Sequence, residues 1–173
     1  LGYEFDVITS DAQEEHRSDI PLAVLCERNA KLKTQAVARL YPEAVVMGGD
    51  TLVYIDNEPL GKPSSEAEAV LMLERLSARS HQVCSGMCVI EGDRVEMFHE
   101  VTSVVFKDID RATIKRYMER VDVMDKAGSY AVQEHGKMIV EKVDGDFSNI
   151  VGLPQQLVLR KLLSFGVEPE GDR

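Results

Sequence analysis

Two long stretches with strand-like alternation, joined by a turn signal, restrict the fold of this chain more than any other feature. Residues 82–90 and 95–107 both have the pattern of β-strands, and Glu91-Gly92-Asp93 between them is a hairpin signal. Helical and strand patterns interleave along the rest of the chain. The sequence therefore predicts an α/β or α+β fold with a mixed sheet built around a long central hairpin.

Start signals and apolar periodicity predict four helices. Their starts are Ser18 or Asp19 with Pro21, the capping box Ser65-x-x-Glu68, Asp110, and Pro154; the first helix extends to about Tyr41. Further strands are expected at residues 3–8, 44–47, 52–55, 129–132 and 138–143.

An excess of acidic residues restricts the partners that this chain can have. The formal net charge is −10, from 30 Asp and Glu against 20 Lys and Arg. Such a surface repels nucleic acid polymers and anionic membranes, so neither is expected as a partner. A small phosphorylated ligand is still compatible with this net charge, because a local basic pocket can outweigh the negative electrostatic field of the whole protein.

The cysteines and the hydropathy indicate a reducing compartment. Cys84 and Cys88 fall four residues apart on one predicted strand, so their side chains are about 13 Å apart, too far for a disulfide. Together with Cys26 they are expected to be buried or half-buried thiols rather than a metal site. No apolar run approaches the roughly 20 residues of a membrane span, and no secretory signal is present. We expect a soluble, cytoplasmic protein.

Lys33 is a cation on the apolar face of the first predicted helix. It follows Cys26 by seven residues and precedes Val37 by four, which places all three on one stripe. Two interpretations are open from the spacing alone. The lysine either extends along the edge of the core towards solvent, or directs its charge into a cleft.

Gly48-Gly49-Asp50-Thr51 interrupts an apolar strand pattern. Paired glycines within such a pattern indicate a bulge or a close approach of another backbone, and a carboxylate and a hydroxyl follow at once. A bend stabilised by a local hydrogen bond from the Asp side chain is the structural alternative.

Two later segments carry further lysines. Gly61-Lys62-Pro63 presents a lysine from a stiff loop, suited to a phosphate contact or simply exposed. Asp125-Lys126 precedes an apolar segment and is either a structural ion pair or part of a site. Gln133 ends that segment with an amide that could hydrogen-bond the edge of a nucleobase.

The available chemistry is carboxylate plus lysine. The four histidines show neither metal-ligand spacing nor the order of a Ser-His-Asp triad. Carboxylates and lysines suit phosphoryl chemistry, in which Mg²⁺ on carboxylates neutralises phosphate oxygens.

Taken in order, these motifs resemble the Maf family of nucleoside triphosphate pyrophosphatases, also called septum-formation proteins. The matching stretches are residues 2–7, residues 10–14, Asn29-Ala30-Lys31-Leu32-Lys33, Gly48-Gly49-Asp50-Thr51-Leu52-Val53, Gly61-Lys62-Pro63, residues 76–83, Asp125-Lys126-Ala127-Gly128, residues 130–133, and Val151-Gly152-Leu153-Pro154. Each motif is weak alone, but nine in order across nearly the whole chain are specific.

The resemblance implies an α/β fold, similar also to inosine triphosphatases, in which a mixed, curved sheet and flanking helices form two lobes around a central cleft. A single catalytic domain is expected over residues 1–166, followed by a loose tail over residues 167–173. The resemblance also suggests a homodimer.

The implied reaction is hydrolysis of a nucleoside triphosphate to the monophosphate and pyrophosphate, with Mg²⁺ or Mn²⁺. Asp50 matches the family's general base, and Glu14 matches its acidic partner, so these two would hold the metal. Lys33 and Lys62 match the lysines that clamp the triphosphate, which favours the cleft for Lys33.

The expected substrate-binding residues are Thr51, Gln133 and Lys126. Thr51 and Gln133 match positions linked to base choice in the branch of the family that acts on dTTP and UTP. The intact run Asp125-Lys126-Ala127-Gly128 favours that branch over the one acting on 7-methyl-GTP. Modified pyrimidine nucleotides are also candidate substrates.

The sequence departs from the family pattern at several places. The family's first strand and its Ser-x-Ser-Pro-Arg-Arg loop are not found here, so we expect the N-terminal part of the domain to be missing. Gly49 stands where Ala is usual, Ala78 where Gly is usual, and Glu134 where Gly commonly follows Gln133. These departures leave an alternative function open: a catalytically impaired, nucleotide-binding regulator of cell division or septum formation.

Overall fold

The computed structural model describes residues 2–17 and 19–170. Five helices and five strands are found in this part of the chain. The helices are α1 (Leu22–Ala38), α2 (Glu66–Leu76), α3 (Arg111–Met118), α4 (Phe147–Ile150) and α5 (Gln155–Ser164). The strands are β1 (Val46–Ile55), β2 (Glu58–Leu60), β3 (Ser80–Glu91), β4 (Arg94–Phe106) and β5 (Val140–Asp144), and single 3₁₀ turns lie at Ala127–Ser129 and Gly136–Met138.

The predicted hairpin is the centre of the sheet. β3 and β4 pair in one unbroken register from Ser80 opposite Val105 to Glu91 opposite Arg94. The order of the strands is β2-β1-β3-β4-β5. The α/β class with flanking helices is therefore confirmed, but all four strand pairs are antiparallel, and the predicted mixed sheet is wrong in the described residues. Hairpin turns explain two of these pairs, because they join β1 to β2 and β3 to β4.

The helix starts agree closely with the sequence signals. Ser65 accepts a hydrogen bond from the Glu68 amide at 3.2 Å, and Asp110 accepts one from the Thr113 amide at 2.8 Å. Pro154 immediately precedes α5. The first helix begins at Leu22, after Pro21, and ends at Ala38 rather than Tyr41; Ser18, one of its predicted starts, lies outside the described residues.

Three predicted strand features differ in the structure. Residues 3–8 and 129–132 form no strand; Ser129 ends a 3₁₀ turn, and Tyr130 after it has extended backbone angles but pairs with no strand among the described residues. Gly128 adopts φ +67° and Ser129 φ +61°, which are incompatible with a strand. The two apolar segments around Gly48-Gly49 are one continuous strand, because β1 keeps a regular register with β3 through both glycines.

The sheet separates two layers of core. On one face, α1 packs its buried side chains against β1 and β3. On the other face lie two clusters, one under α2 and α3 and one under α5. The segment containing α4 crosses this face between the clusters, where Asn149 hydrogen-bonds the backbone of β3.

The end of the described chain is packed rather than loose. The Glu170 amide donates to the Gly2 carbonyl at 2.6 Å, and Val167 packs against the cluster under α5. The rest of the predicted tail, residues 171–173, lies outside the described residues. None of the described helices combines the length and the apolar character needed to cross a membrane.

Candidate active site

A cleft of about 1080 Å³ runs along the open edge of β1. β2 pairs with residues 53–55 of β1, so within the described part of the chain β3 is the only strand beside residues 46–52. The volume is slightly above the roughly 300–1,000 Å³ that is typical of small-molecule sites. All seven predicted site residues line this cleft: Glu14, Lys33, Asp50, Thr51, Lys62, Lys126 and Gln133.

A lysine flanked by two carboxylates occupies one wall of the cleft. Lys33 Nζ lies 2.7 Å from Asp50 Oδ1 and 2.7 Å from Glu14 Oε1, and it donates to the Gly49 carbonyl at 3.4 Å. Burial alone would lower the pKa of Lys33, but its hydrogen bonds to Asp50 and Glu14 outweigh that effect and raise the pKa above the ordinary value. The ammonium therefore stays charged at neutral pH.

Asn29 joins this group, although no individual role was predicted for it. Its Nδ2 donates to Asp50 Oδ2 at 3.1 Å and to the Glu15 carbonyl at 3.2 Å, and its Oδ1 accepts from the Glu15 amide at 2.8 Å. Asn29 thereby ties the segment carrying Glu14 to the strand carrying Asp50. The four-residue spacing from Lys33 places both side chains on one face of α1, and this spacing could have identified it.

Two glycines let α1 approach the sheet at this point. A Cβ at Gly86, which pairs with Asp50, would lie 2.3 Å from the carbonyl carbon of Cys26. A Cβ at Gly48 would lie 2.5 Å from Thr34 Oγ1. At Gly48 the close neighbour is thus the Thr34 side chain of α1 rather than another backbone, as one interpretation of Gly48-Gly49 had it, and β1 keeps its register there without a bulge.

The other lysines come from two loops that are tied together. The Gly128 amide donates to the Gly61 carbonyl at 3.0 Å, which fixes the loop of Lys62 beside the loop of Lys126. Lys126 Nζ lies 3.0 Å from Asp125 Oδ1 and 3.4 Å from Glu134 Oε1. These partners, Asp125 above all, raise the pKa of Lys126 and keep it charged. Lys62 and Gln133 are exposed on the same side of the cleft.

A buried chain of hydrogen bonds holds Thr51 on the floor of the cleft. Thr51 Oγ1 lies 2.9 Å from Ser85 Oγ, and Ser85 Oγ donates to the Asn149 carbonyl at 3.0 Å. Asn149 also accepts from the Ser85 amide through Oδ1 at 3.2 Å. Ser85 and Asn149 are fully buried, and neither was singled out from the sequence, because they are 64 residues apart and meet only in the fold.

His81 supports the cleft wall from behind. His81 Nε2 lies 2.7 Å from the hydroxyl of Tyr130, which lines the cleft, and Phe106 packs edge-on against both rings. Burial lowers the pKa of His81 to about 4, so the ring is neutral at neutral pH. Its Nδ1 is buried without a hydrogen-bond partner among the described residues, which would leave a protonated ring with an unsatisfied donor.

Glu14 and Asp50 fit a divalent cation that arrives with a phosphorylated ligand. Their carboxylates already share one cation, the Lys33 ammonium. No group of three or more His, Cys, Asp or Glu side chains suited to a metal occurs among residues 2–17 and 19–170. Mg²⁺ is commonly held by one or two carboxylates, substrate phosphates and water rather than by a complete protein cage.

The three cysteines are buried free thiols, as predicted.

Comparison with known proteins shows the family of this chain. A dTTP/UTP pyrophosphatase of Akkermansia muciniphila is 43% identical over 165 residues, covering 95% of this chain and 87% of the relative. Proteins of the same name from Bacillus pumilus and Symbiobacterium thermophilum are 40% and 42% identical over 168 and 167 residues. These alignments cover 97% and 96% of this chain and 89% and 86% of the relatives. The sequence profile of the family described as Maf-like protein matches residues 1–165, and the chain belongs to this family.

Proposed function

We propose that this protein hydrolyses dTTP and UTP to the nucleoside monophosphate and pyrophosphate. The observation that carries the proposal is the Glu14–Lys33–Asp50 group in a cleft that Lys62 and Lys126 also line. The relatives in the comparison are named for this activity and align over nearly their whole length.

Lys33 and Lys62 bind the triphosphate in this account. The chain as a whole carries a net charge of −10, so a polyanionic ligand needs local positive charge. Lys33 supplies it from α1 and Lys62 from the loop after β2, and Lys126 adds a third cation from the neighbouring loop. Phosphates in the cleft would be bound by these lysines.

Glu14 and Asp50 hold the divalent cation, Mg²⁺ or Mn²⁺, together with the phosphates. When bound, the cation neutralises charge on the phosphate oxygens and polarises the phosphorus centre for attack. When no metal ion is bound, the Lys33 ammonium lies between the two carboxylates and offsets their mutual repulsion.

Asp50 takes the proton from the attacking water. A carboxylate has about four lone-pair sites. Asp50 uses Oδ1 to accept from Lys33 and Oδ2 to accept from Asn29, and both oxygens keep capacity for a further donor. These two partners fix the orientation of the carboxylate, so that a water between Asp50 and the α-phosphate is held in position.

Thr51 and Gln133 bind the nucleoside part of the substrate, whereas Lys126 contributes its charge beside Lys62. The Thr51 hydroxyl is fixed by Ser85, and the Gln133 amide at the cleft rim offers a donor and an acceptor to a base edge. Gly152, with φ +97°, runs beside Thr51, and a Cβ there would lie 3.3 Å from Thr51 Oγ1. The absent side chain leaves the hydroxyl open to a ligand.

The experiment is a substrate panel that separates pyrophosphate release from phosphate release. With Mg²⁺ or Mn²⁺, we expect dTTP and UTP to yield pyrophosphate at rates well above CTP and 7-methyl-GTP. Lys62→Ala should raise KM, whereas Lys31→Ala on the solvent side of α1 is the matched control and should not. Tight binding of dTTP without any turnover would instead favour the nucleotide-binding regulator, and release of phosphate alone would contradict the proposed bond cleavage.

A further inference from the structure

Ser85 fixes the direction in which the Thr51 hydroxyl can hydrogen-bond. A serine hydroxyl has one proton, and that of Ser85 is donated to the Asn149 carbonyl at 3.0 Å. The 2.9 Å contact between Thr51 Oγ1 and Ser85 Oγ therefore requires Thr51 to be the donor. Thr51 then has no proton left, and it presents only lone pairs to the cleft.

The surroundings of Ser85 fix the direction of these hydrogen bonds. The Asn149 carbonyl also accepts from the Gly152 amide at 2.9 Å, so it is a fixed acceptor. The Asn149 side chain donates to the Val83 carbonyl at 3.1 Å and to Thr102 Oγ1 at 3.0 Å, which locks the residue in position. Because Ser85 is fully buried, no water competes for its proton.

We propose that Ser85 makes Thr51 a permanent hydrogen-bond acceptor and thereby selects a nucleobase with a ring N–H donor. Uracil and thymine carry a proton on N3, whereas cytosine has a bare nitrogen acceptor there. An acceptor in the cleft pairs with the first two and faces a lone pair in cytosine, which leaves two buried acceptors in contact. This inference rests on the proposed function for the class of ligand, and it assigns base selection to Ser85 as a positioning residue.

Gln133 cannot supply this discrimination by itself. It is exposed, and no hydrogen bond among the described residues holds its amide in one orientation. A free amide flips to present its oxygen or its nitrogen and so accommodates either base. The fixed group on the floor of the cleft is Thr51.

The test measures the preference for UTP over CTP in two independent ways. One is the ratio of kcat/KM values, and the other is the ratio of dissociation constants for the non-hydrolysable α,β-methylene analogues of UTP and CTP. In Ser85→Ala the Thr51 hydroxyl can rotate and donate, so both ratios should fall at least about fivefold, the size of one neutral hydrogen bond. Thr51→Val removes the acceptor and should lower both ratios, and the double variant should show no further loss.

Ser103→Ala is the matched control. It removes a serine hydroxyl from β4, and that hydroxyl takes part in none of the hydrogen bonds that link Thr51, Ser85 and Asn149. Thermal unfolding of each variant separates a lost fold from a changed preference. An unchanged or increased ratio in Ser85→Ala, an equal loss in Ser103→Ala, or wild-type protein that binds both analogues equally would overturn the inference. Selective binding of the UTP analogue without hydrolysis would overturn the proposed function but support the role of Ser85.

Discussion

Gly86 on β3 pairs directly with Asp50 on β1, on the sheet face that α1 covers. The Cα of Gly86 faces the backbone of Cys26 so closely that a side chain has no room. This approach brings Asn29 and Lys33 of α1 within hydrogen-bond distance of Asp50. The geometry of the carboxylate thus depends on a residue that touches no ligand.

Gly86→Ala should weaken both the fold and the activity. The added Cβ meets backbone atoms, which move only with the whole helix, and overpacking of this kind costs about 1–3 kcal/mol of unfolding free energy. Displacement of α1 should also lower kcat/KM for UTP. Gly136→Ala is the control, because a Cβ there makes only ordinary contacts. Urea unfolding and steady-state kinetics check both effects, and a Gly86→Ala protein with wild-type values would contradict the packing argument.

Asn29→Ala should lower kcat more than it raises KM. The loss of a hydrogen bond to a charged group costs about 1.5–3 kcal/mol, which corresponds to a rate loss of roughly ten- to a hundredfold. Asn29→Asp keeps the shape and the acceptor for the Glu15 amide but replaces the donor to Asp50 by a second carboxylate. It should be at least as inactive as Asn29→Ala. Full activity of Asn29→Asp would show that the donor to Asp50 is not needed.

Lys33→Met should increase the rise in melting temperature that Mn²⁺ causes when no nucleotide is present. Without the ammonium, Glu14 and Asp50 face each other with no shared cation, so the melting temperature should fall in metal-free buffer. Mn²⁺ should then restore more of the melting temperature in Lys33→Met than it adds to wild type. The double variant Lys33→Met with Asp50→Asn lacks one ligand and should lose this response. Equal shifts in all three proteins would argue against a metal between the two carboxylates.

Acid should destabilise the protein through His81. Its pKa is about 4 in the folded protein and near 6.5 when unfolded, so between these values the unfolded chain binds more protons. The stability that neutral His81 supports is fully present above about pH 6.5 and is lost as the pH falls towards 4. From pH 7 to pH 5 the loss should be about 2 kcal/mol. Urea unfolding of His81→Gln should show a flatter dependence on pH, and the exposed His16→Gln should keep the wild-type slope.

Much of the fold could be predicted because its signals are local. The hairpin turn at Gly92, the caps at Ser65 and Asp110, and the start after Pro154 all depend on neighbouring residues, and each is found where the sequence indicates. The strand expected at residues 129–132 fails for a non-local reason. The left-handed turn at Gly128 is held by a hydrogen bond to the Gly61 carbonyl, 67 residues earlier in the sequence.

The residues of the candidate site also separate into those with a local sequence signal and those without one. Lys33, Asp50, Thr51 and Lys62 stand out through local features: a charge on an apolar stripe, a paired-glycine motif and a stiff loop. Ser85 and Asn149 carry no such signal, because a serine in a strand and an asparagine in a short helix are ordinary in isolation. Their importance comes from a contact between distant segments that only the folded chain brings together.

The most direct test of the account is the turnover of UTP and dTTP by Asp50→Asn, followed as pyrophosphate released with Mg²⁺ or Mn²⁺. The asparagine keeps the size of the side chain but cannot accept the proton of water as a carboxylate does, so we expect hydrolysis to be abolished while the thermal unfolding transition stays cooperative. Wild-type protein should release pyrophosphate from both substrates in the same assay. Turnover by Asp50→Asn close to that of the wild type would remove Asp50 from the role of general base and contradict the proposed mechanism.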